Sequence, residues 1–352
     1  MSNVHHLILT VDYELFGDGS GCFEHCVVNP AAQMASISDA CDAPLTVFAE
    51  VLEIDAALKH GGAVAKGAEG AERQLVELWK QGHDVQLHIH PQWIGARHDG
   101  ETWQLDMKRW RCGSLTAREF QDAVEYGVEW LSHRLGSSAA KRYACVAFRA
   151  GGWCVQGAPE LLQTLKSCGI RLESSVAPGL YSNAPGAWFD FRNAPARAWW
   201  PVEDDVLRVT HSSDSLLEVP ILTGRYARLA HLRELVARRR APTLATGCRG
   251  GYAGPAGERG RIMYKLDRVA ALGQTMLDLS TLPAARMIAL VEQWLELHAD
   301  ASTPVPLVAI GHTKNFTRAS AREFEAFLGW ASRRADIQFS TFGRWLQEAG
   351  VS

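Results

Sequence analysis

The sequence predicts an α/β protein built as a (β/α) barrel, and three observations carry that prediction. Short β-branched runs alternate with longer stretches of helical spacing, the order that parallel strands joined by crossover helices require. About eight such units follow one another, more than an ordinary doubly wound half needs and close to a full barrel. Polar clusters stand at the ends of the apolar runs, where a barrel places its chemistry. Strands are expected at 6–11, 45–48, 85–89, 145–148, 170–174, 216–221, 307–310 and 337–339, and helices at 71–81, 116–135, 158–167, 284–298 and 319–334. A chain of 352 residues leaves room for two or three domains, but this rhythm reads as one elaborated barrel over residues 1–352. The stretch 243–263, TLATGCRGGYAGPAGERGRIM, breaks the rhythm and reads as a Gly/Arg-rich insertion. It is either a plain surface loop or a holder for a phosphorylated or acidic substrate.

Composition narrows the function classes. With 47% hydrophobic and 21% charged residues the chain is an ordinary globular protein able to bury a large core. Basic and acidic residues nearly balance, 36 against 39, so no global field attracts nucleic acid or an anionic membrane. No apolar run approaches the roughly 18 residues of a membrane span. The N-terminus lacks a basic region, and Asp12 and Glu14 interrupt its apolar run, so it reads as a first strand and not as an export signal. A cytoplasmic location follows as the expectation. Eight cysteines without any CxxC are then expected to be free thiols. The 13 histidines and 12 tryptophans suit metal or proton chemistry and flat apolar substrate faces.

Four strand ends carry the candidates. The first strand closes on Asp12 and Glu14, which at i and i+2 face one side of an extended chain. Two acids that close need a cation or a shared proton, unless they merely open a polar turn. The third strand ends in His88 and His90, again on one face, and neutral imidazoles with carboxylates and open positions make a catalytic rather than a structural metal site. Arg149 leaves the fourth strand. Burying it is costly without a carboxylate, so pairing with Asp12 across the barrel mouth is expected. Gly151 and Gly152 follow it and let backbone N–H groups approach a ligand. His312 stands just past the seventh strand, as a core histidine or a catalyst.

In order along nearly the whole chain, TVDYELFGDGSG at 10–21, HDVQLHIHPQW at 83–93, AFRAGGW at 147–153, FDFRNAP at 189–195, LLEVPI at 216–221, VAIGHTKNF at 308–316 and QFSTFGRWL at 338–346 resemble the polysaccharide deacetylases (NodB homology, carbohydrate esterase family four). Within that group they are similar to the WalW-like lipopolysaccharide-biosynthesis branch. The resemblance implies a distorted (β/α) barrel of about seven strands. It also implies metal-assisted removal of an acetyl group from an N-acetylated or O-acetylated sugar. By the matching positions Asp12 is the catalytic base, Arg149 holds that base, His312 is the general acid and His88 is a metal ligand. The usual second acid is Tyr13 here, which moves that ligand to Glu14. The usual second histidine is Gln92, which leaves His90 as its replacement. The implied cofactor is a divalent metal, zinc first, with cobalt or manganese as alternatives.

Gly151 and Gly152 are then oxyanion donors and Trp153 a pocket wall, while Trp93, Trp199 and Trp200 join Trp153 as candidates for stacking on sugar rings at the mouth. The expected partner is an acetylated sugar or glycan precursor. Two rivals stand beside this reading: a catalytically silent carbohydrate-binding barrel, and a metal-dependent amidohydrolase of another family.

Overall fold

Every position of β1 (His5–Tyr13) is buried, as a strand covered on both faces must be, and β1 organises the sheet. In this computed structural model the described residues are 4–136, 142–157, 160–184, 187–212, 214–225, 227, 273–301 and 303–348. The insertion expected at 243–263 lies outside them. The other strands of the main sheet are β2 (Thr46–Glu50), β3 (Asp84–Ile89), β4 (Ala147–Ala150), β5 (Leu172–Glu173), β6 (Trp200–Val202), β7 (Leu216–Glu218), β8 (Pro306–His312) and β9 (Ile337–Ser340). Their spatial order is β6-β7-β5-β4-β3-β2-β1-β8, with β9 also on β1. All neighbours run parallel except β6 and β7.

Beyond β7 the sheet bends round to meet itself. Ile221 forms a parallel bridge with Val308 of β8, and the Leu222 N–H donates to the Val308 carbonyl at 2.9 Å. Asp278 bridges Ile310 in the same way. A distorted barrel results, in which β1, β2, β3, β4, β5, β7 and β8 are the parallel staves, as the sequence leads one to expect.

Outside it pack α1 (Asn29–Asp39), α2 (Val51–His60), α3 (Gly62–Lys80), α4 (Ala117–Gly136), α5 (Glu160–Ser167), α6 (Ala284–Leu297) and α7 (Arg318–Ala331), whereas the short α8 (Phe342–Glu348) packs its apolar side chains against the inner layer. The sequence reading missed α1 and α2 and only half recovered α3. Helix α2 begins with no intervening loop, because Glu50, the last residue of β2, caps it by accepting from the Leu52 N–H at 3.0 Å. Helix α3 opens GAVAKGAEGAER, a glycine-rich text that hides its period. None of these helices is long and apolar enough to cross a membrane.

Side chains inside the barrel alternate along each strand. Ile8, Phe48, Ala147, Leu172, Leu217, Val219 and Val308 form an apolar layer with Phe342, Trp345 and Leu346 of α8. The same alternation carries Asp12, His88 and Arg149 further along the strands. Trp199 packs into this inner layer, 6.2 Å from the Trp345 ring, and Trp200 is fully buried with its indole N–H on the Val206 carbonyl at 2.8 Å. Neither faces the mouth, which corrects their expected role in sugar stacking. β6 folds back antiparallel on β7, burying Trp200 fully and Trp199, just ahead of it, in part. The cysteine expectation also needs revision: Cys26 is disulfide-bonded, whereas Cys22, Cys41, Cys112, Cys145, Cys154 and Cys168 are free thiols.

Trp345→Ala empties a large volume within the inner layer and is expected to cost about 3–5 kcal/mol in urea unfolding. Trp345→Phe should cost much less, since the buried indole nitrogen has no hydrogen-bond partner among the described residues to lose.

Candidate active site

Strand register brings the candidates to one level. Asp12 lies opposite His312 across β1 and β8, Glu50 opposite His88 across β2 and β3, and His88 opposite Arg149 across β3 and β4. Five consecutive staves, β8 to β4, thus present their polar residues at the carboxyl-terminal end of the barrel.

Arg149 is completely buried, and nearly all of its donor capacity is used. Its Nη1 donates to Asp12 Oδ1 at 2.7 Å and to Thr10 Oγ1 at 2.8 Å. Nε donates to the Ser174 carbonyl at 2.7 Å and Nη2 to Ser174 Oγ at 3.2 Å, while the guanidinium lies 4.3 Å from the Phe48 ring centre. Thr10 is itself fixed to the Ala309 carbonyl and Ser174 to the Val219 carbonyl. One side chain therefore ties β1, β4 and β5 together and sets the orientation of Asp12. The second oxygen of Asp12, Oδ2, lies 3.4 Å from His312 Nε2. Burial would raise the Asp12 pKa, but Arg149, then His88 and His312, outweigh it and hold the carboxyl below its usual range.

Glu14 sits beside this pair. Its Oε2 lies 2.7 Å from His90 Nε2 and 3.6 Å from His88 Nε2, and its Oε1 accepts from Lys314 Nζ at 2.7 Å. Burial again opposes ionisation, but Lys314 and then His90 prevail, and Glu14 is held well below the ordinary glutamate range. His88 Nδ1–H donates to the Arg149 carbonyl at 2.8 Å, which leaves Nε2 as the lone-pair nitrogen of the neutral ring. Among the described residues, buried His88 Nε2 and His90 Nε2 both lack an aligned hydrogen bond, and they face the same carboxylate oxygen. Glu14, His88 and His90 offer ligand atoms within 4.8 Å of one another, and so do Asp12, Glu14 and His312, so these buried groups could hold a metal ion.

Gln92 is fully buried but does not join Glu14. Its amide donates to His90 Nδ1 at 3.0 Å and to the Gly17 carbonyl at 3.2 Å. Gly151 packs against His90 so tightly that a Cβ there would stand 2.5 Å from the ring, and Gly152 has φ +58°. Trp153 meets His312 edge to face at 5.7 Å and Phe189 at 5.9 Å. Trp93 is placed elsewhere: it lines a cavity of about 800 Å³ between α2 and α4, together with Trp103, His60, His98 and Tyr126. None of Asp12, Glu14, His88, His90, Arg149 or His312 lines that cavity.

Several residues escaped the sequence reading. Lys314 lies two positions after His312, the same i and i+2 spacing that flagged Asp12 with Glu14. Glu50 ends β2 and accepts from the His90 N–H, and Glu53 accepts from the Leu15 N–H at 2.8 Å. Burial first, and neighbouring carboxylates second, push both well above the ordinary range, toward the neutral acid. Ser280 fixes His312 by accepting its N–H at 2.7 Å and donating to its carbonyl at 3.1 Å. Thr10 and Ser174, the supports of Arg149, carry no sequence signal beyond their place in a strand.

No family model and no curated protein matches this sequence. Solved structures do. A candidate polysaccharide deacetylase from Mycobacterium smegmatis superposes with TM-score 0.50 at 13% identity, over 99% of this chain and 90% of its own. The fold is that of the polysaccharide deacetylases. A candidate glycoside hydrolase/deacetylase from Parabacteroides distasonis gives 0.55 at 12% identity, over 99% of this chain and 72% of its own. A GH57 branching enzyme from Thermococcus kodakaraensis gives 0.51 at 13% identity, over 98% and 71%. Identities this low establish shared architecture, and the chemistry has to be argued from the side chains.

Asp12→Asn leaves a buried guanidinium without its counter-charge, so it is expected to cost about 3–5 kcal/mol at neutral pH in urea unfolding. The Asp12 carboxyl titrates lower folded than unfolded, where an aspartate sits near about 4. Its pairing therefore contributes fully above that value and is lost as pH falls through the folded pKa. The difference between wild type and Asp12→Asn should accordingly shrink on acidification below about pH 4.

Proposed function

We propose that the protein is a hydrolase that removes an acetyl group from an N-acetylated or O-acetylated sugar, in the building of envelope polysaccharide or lipopolysaccharide. The observation that carries the reading is the two-sided placement of Asp12. Arg149 holds one carboxylate oxygen at 2.7 Å, and the other faces His312 Nε2 at 3.4 Å. A base and an acid thus share one small space, as an acyl transfer that takes a proton from water and returns one to the leaving group needs.

Within this reading Asp12, kept ionised and oriented by Arg149, takes the proton of the attacking water. His312, anchored through its backbone by Ser280 and flanked by Trp153, delivers a proton to the departing sugar amine or alcohol. Backbone N–H groups at Gly151 and Gly152 would receive the developing oxyanion. Glu14, His88 and His90 are the residues that would hold a divalent ion, zinc in the first place, and the buried Nε2 atoms that face Glu14 without an aligned hydrogen bond among the described residues fit such an ion. When bound, the ion supplies Lewis acidity, polarising the acyl carbonyl and making water acidic enough to lose a proton near neutral pH. For His90 to lend its Nε2 lone pair, its ring proton must sit on Nδ1. Gln92 would then turn its amide so that Oε1, which has no partner among the described residues, accepts it.

A glycosidase reading of the same fold is less well supported. It needs a carboxylic acid facing the substrate as proton donor, whereas Asp12 and Glu14 both stand below their ordinary ranges beside cations, and the acids raised toward neutrality, Glu50 and Glu53, are buried and engaged with the His90 and Leu15 N–H groups.

The test is acetate release from a panel of acetylated sugars, nucleotide sugars and glycolipid precursors. Wild type should release acetate, lose the activity to a chelator and regain it with zinc or cobalt. Asp12→Asn and His312→Ala should each lower turnover by about 10²–10⁴. Normal turnover in either variant would contradict these roles, and no acetate from any substrate would favour a silent sugar-binding barrel.

A further inference from the structure

Glu14 already has a cation. The Lys314 ammonium lies 2.7 Å from its Oε1 and also donates to the Leu15 carbonyl at 3.2 Å. With only 13% of its side chain exposed, Lys314 is held on two sides and does not swing in solvent. It stands on the turn Thr313–Asn315, directly after β8. The two carboxylates are therefore matched one for one by basic side chains, Asp12 by Arg149 and Glu14 by Lys314. The charge of the ligands is one factor that sets how tightly a site holds a divalent ion, and here the carboxylate's charge is balanced before any ion arrives.

We infer that Lys314 is the built-in counter-ion of Glu14 and weakens divalent-ion binding at Glu14, His88 and His90, so that the ion is held reversibly. The inference rests on the ligand set proposed above. Two physical effects act in the same direction. The ammonium occupies one of the two Glu14 oxygens, leaving only Oε2, the one facing both imidazoles, for an ion. It also repels a second cation that shares the carboxylate, in a buried setting where water screens little. Lys314 additionally orients Glu14, but losing one orienting hydrogen bond is a smaller effect than removing a buried like charge. Removing the charge is therefore expected to tighten ion binding. In the absence of an ion, the same lysine spares Glu14 from standing ionised and unpaired in the core.

The experiment is calorimetric titration of zinc into the chelator-stripped full chain, with near-UV circular dichroism to check the fold. It compares wild type with Lys314→Met, or with Lys314→Gln should the first not fold, and with Lys314→Arg. Each is repeated with His88→Ala added. The expected result is one zinc bound about tenfold or more tightly in Lys314→Met than in wild type. Lys314→Arg should stay within about threefold of wild type because it keeps the charge, and His88→Ala should remove the binding in every background. Equal or weaker binding in Lys314→Met, still abolished by His88→Ala, would overturn the role of Lys314 and leave the ligand set standing. Binding that survives His88→Ala unchanged, or no binding in any protein, would overturn the ligand set and the inference with it.

Discussion

The buried pair of Arg149 and Asp12 is the constraint around which the mouth of the barrel is arranged. A guanidinium with no contact with water is tolerable only where its charge is met and its N–H groups are satisfied, and both conditions are filled by residues of neighbouring staves. Meeting them fixes the backbone of β1 against β4 and β5. It also fixes which Asp12 oxygen is left over, and that oxygen is the one that faces His312. Stability and chemistry thus draw on the same contact, and the low exposure of the whole cluster strengthens both.

Around that pair the charges are arranged in matched couples. Glu14 takes Lys314 as Asp12 takes Arg149, and the acids lying behind, Glu50 and Glu53, are pushed toward neutrality by burial first and by their carboxylate neighbours second. The imidazoles divide by environment. His88, near both Asp12 and Glu14, is raised despite burial, whereas burial dominates at His90 and lowers it. Two histidines two residues apart on one strand end thereby acquire different proton affinities. Similarity to solved structures at 13% identity or less accounts for the barrel, but these pairings belong to the side chains of this chain.

Much of this was legible in the sequence because strand ends obey a simple rule. Residues at i and i+2 share a face, and the carboxyl ends of parallel strands converge, so Asp12, Glu14, His88, His90, Arg149 and His312 could be assembled without coordinates. The same rule, applied to β2 and to the turn after β8, points to Glu50 and Lys314. They were passed over because a glutamate before a helix looks like a cap, which Glu50 also is, and because a lysine past a strand looks solvated. What could not be read depended on tertiary context. Trp200 is buried, and Trp199 half-buried, by an antiparallel return onto β7, and Trp93 lines the cavity between α2 and α4. Helices α1 and α2 were hidden because one runs on from a single π-helical turn, Glu24–Val28, and the other starts from the last residue of a strand.

A double-mutant cycle on Asp12 and Arg149 tests the central claim most directly. Unfolding free energies of wild type, Asp12→Asn, Arg149→Met and the double variant would be compared at neutral pH. If the buried pair organises the mouth, each single change strands a charge or its hydrogen-bonding partners, and the double variant should be more stable than the sum of the singles predicts by about 2 kcal/mol or more. Additivity to within about 0.5 kcal/mol would mean that the two residues act independently, and would contradict the account.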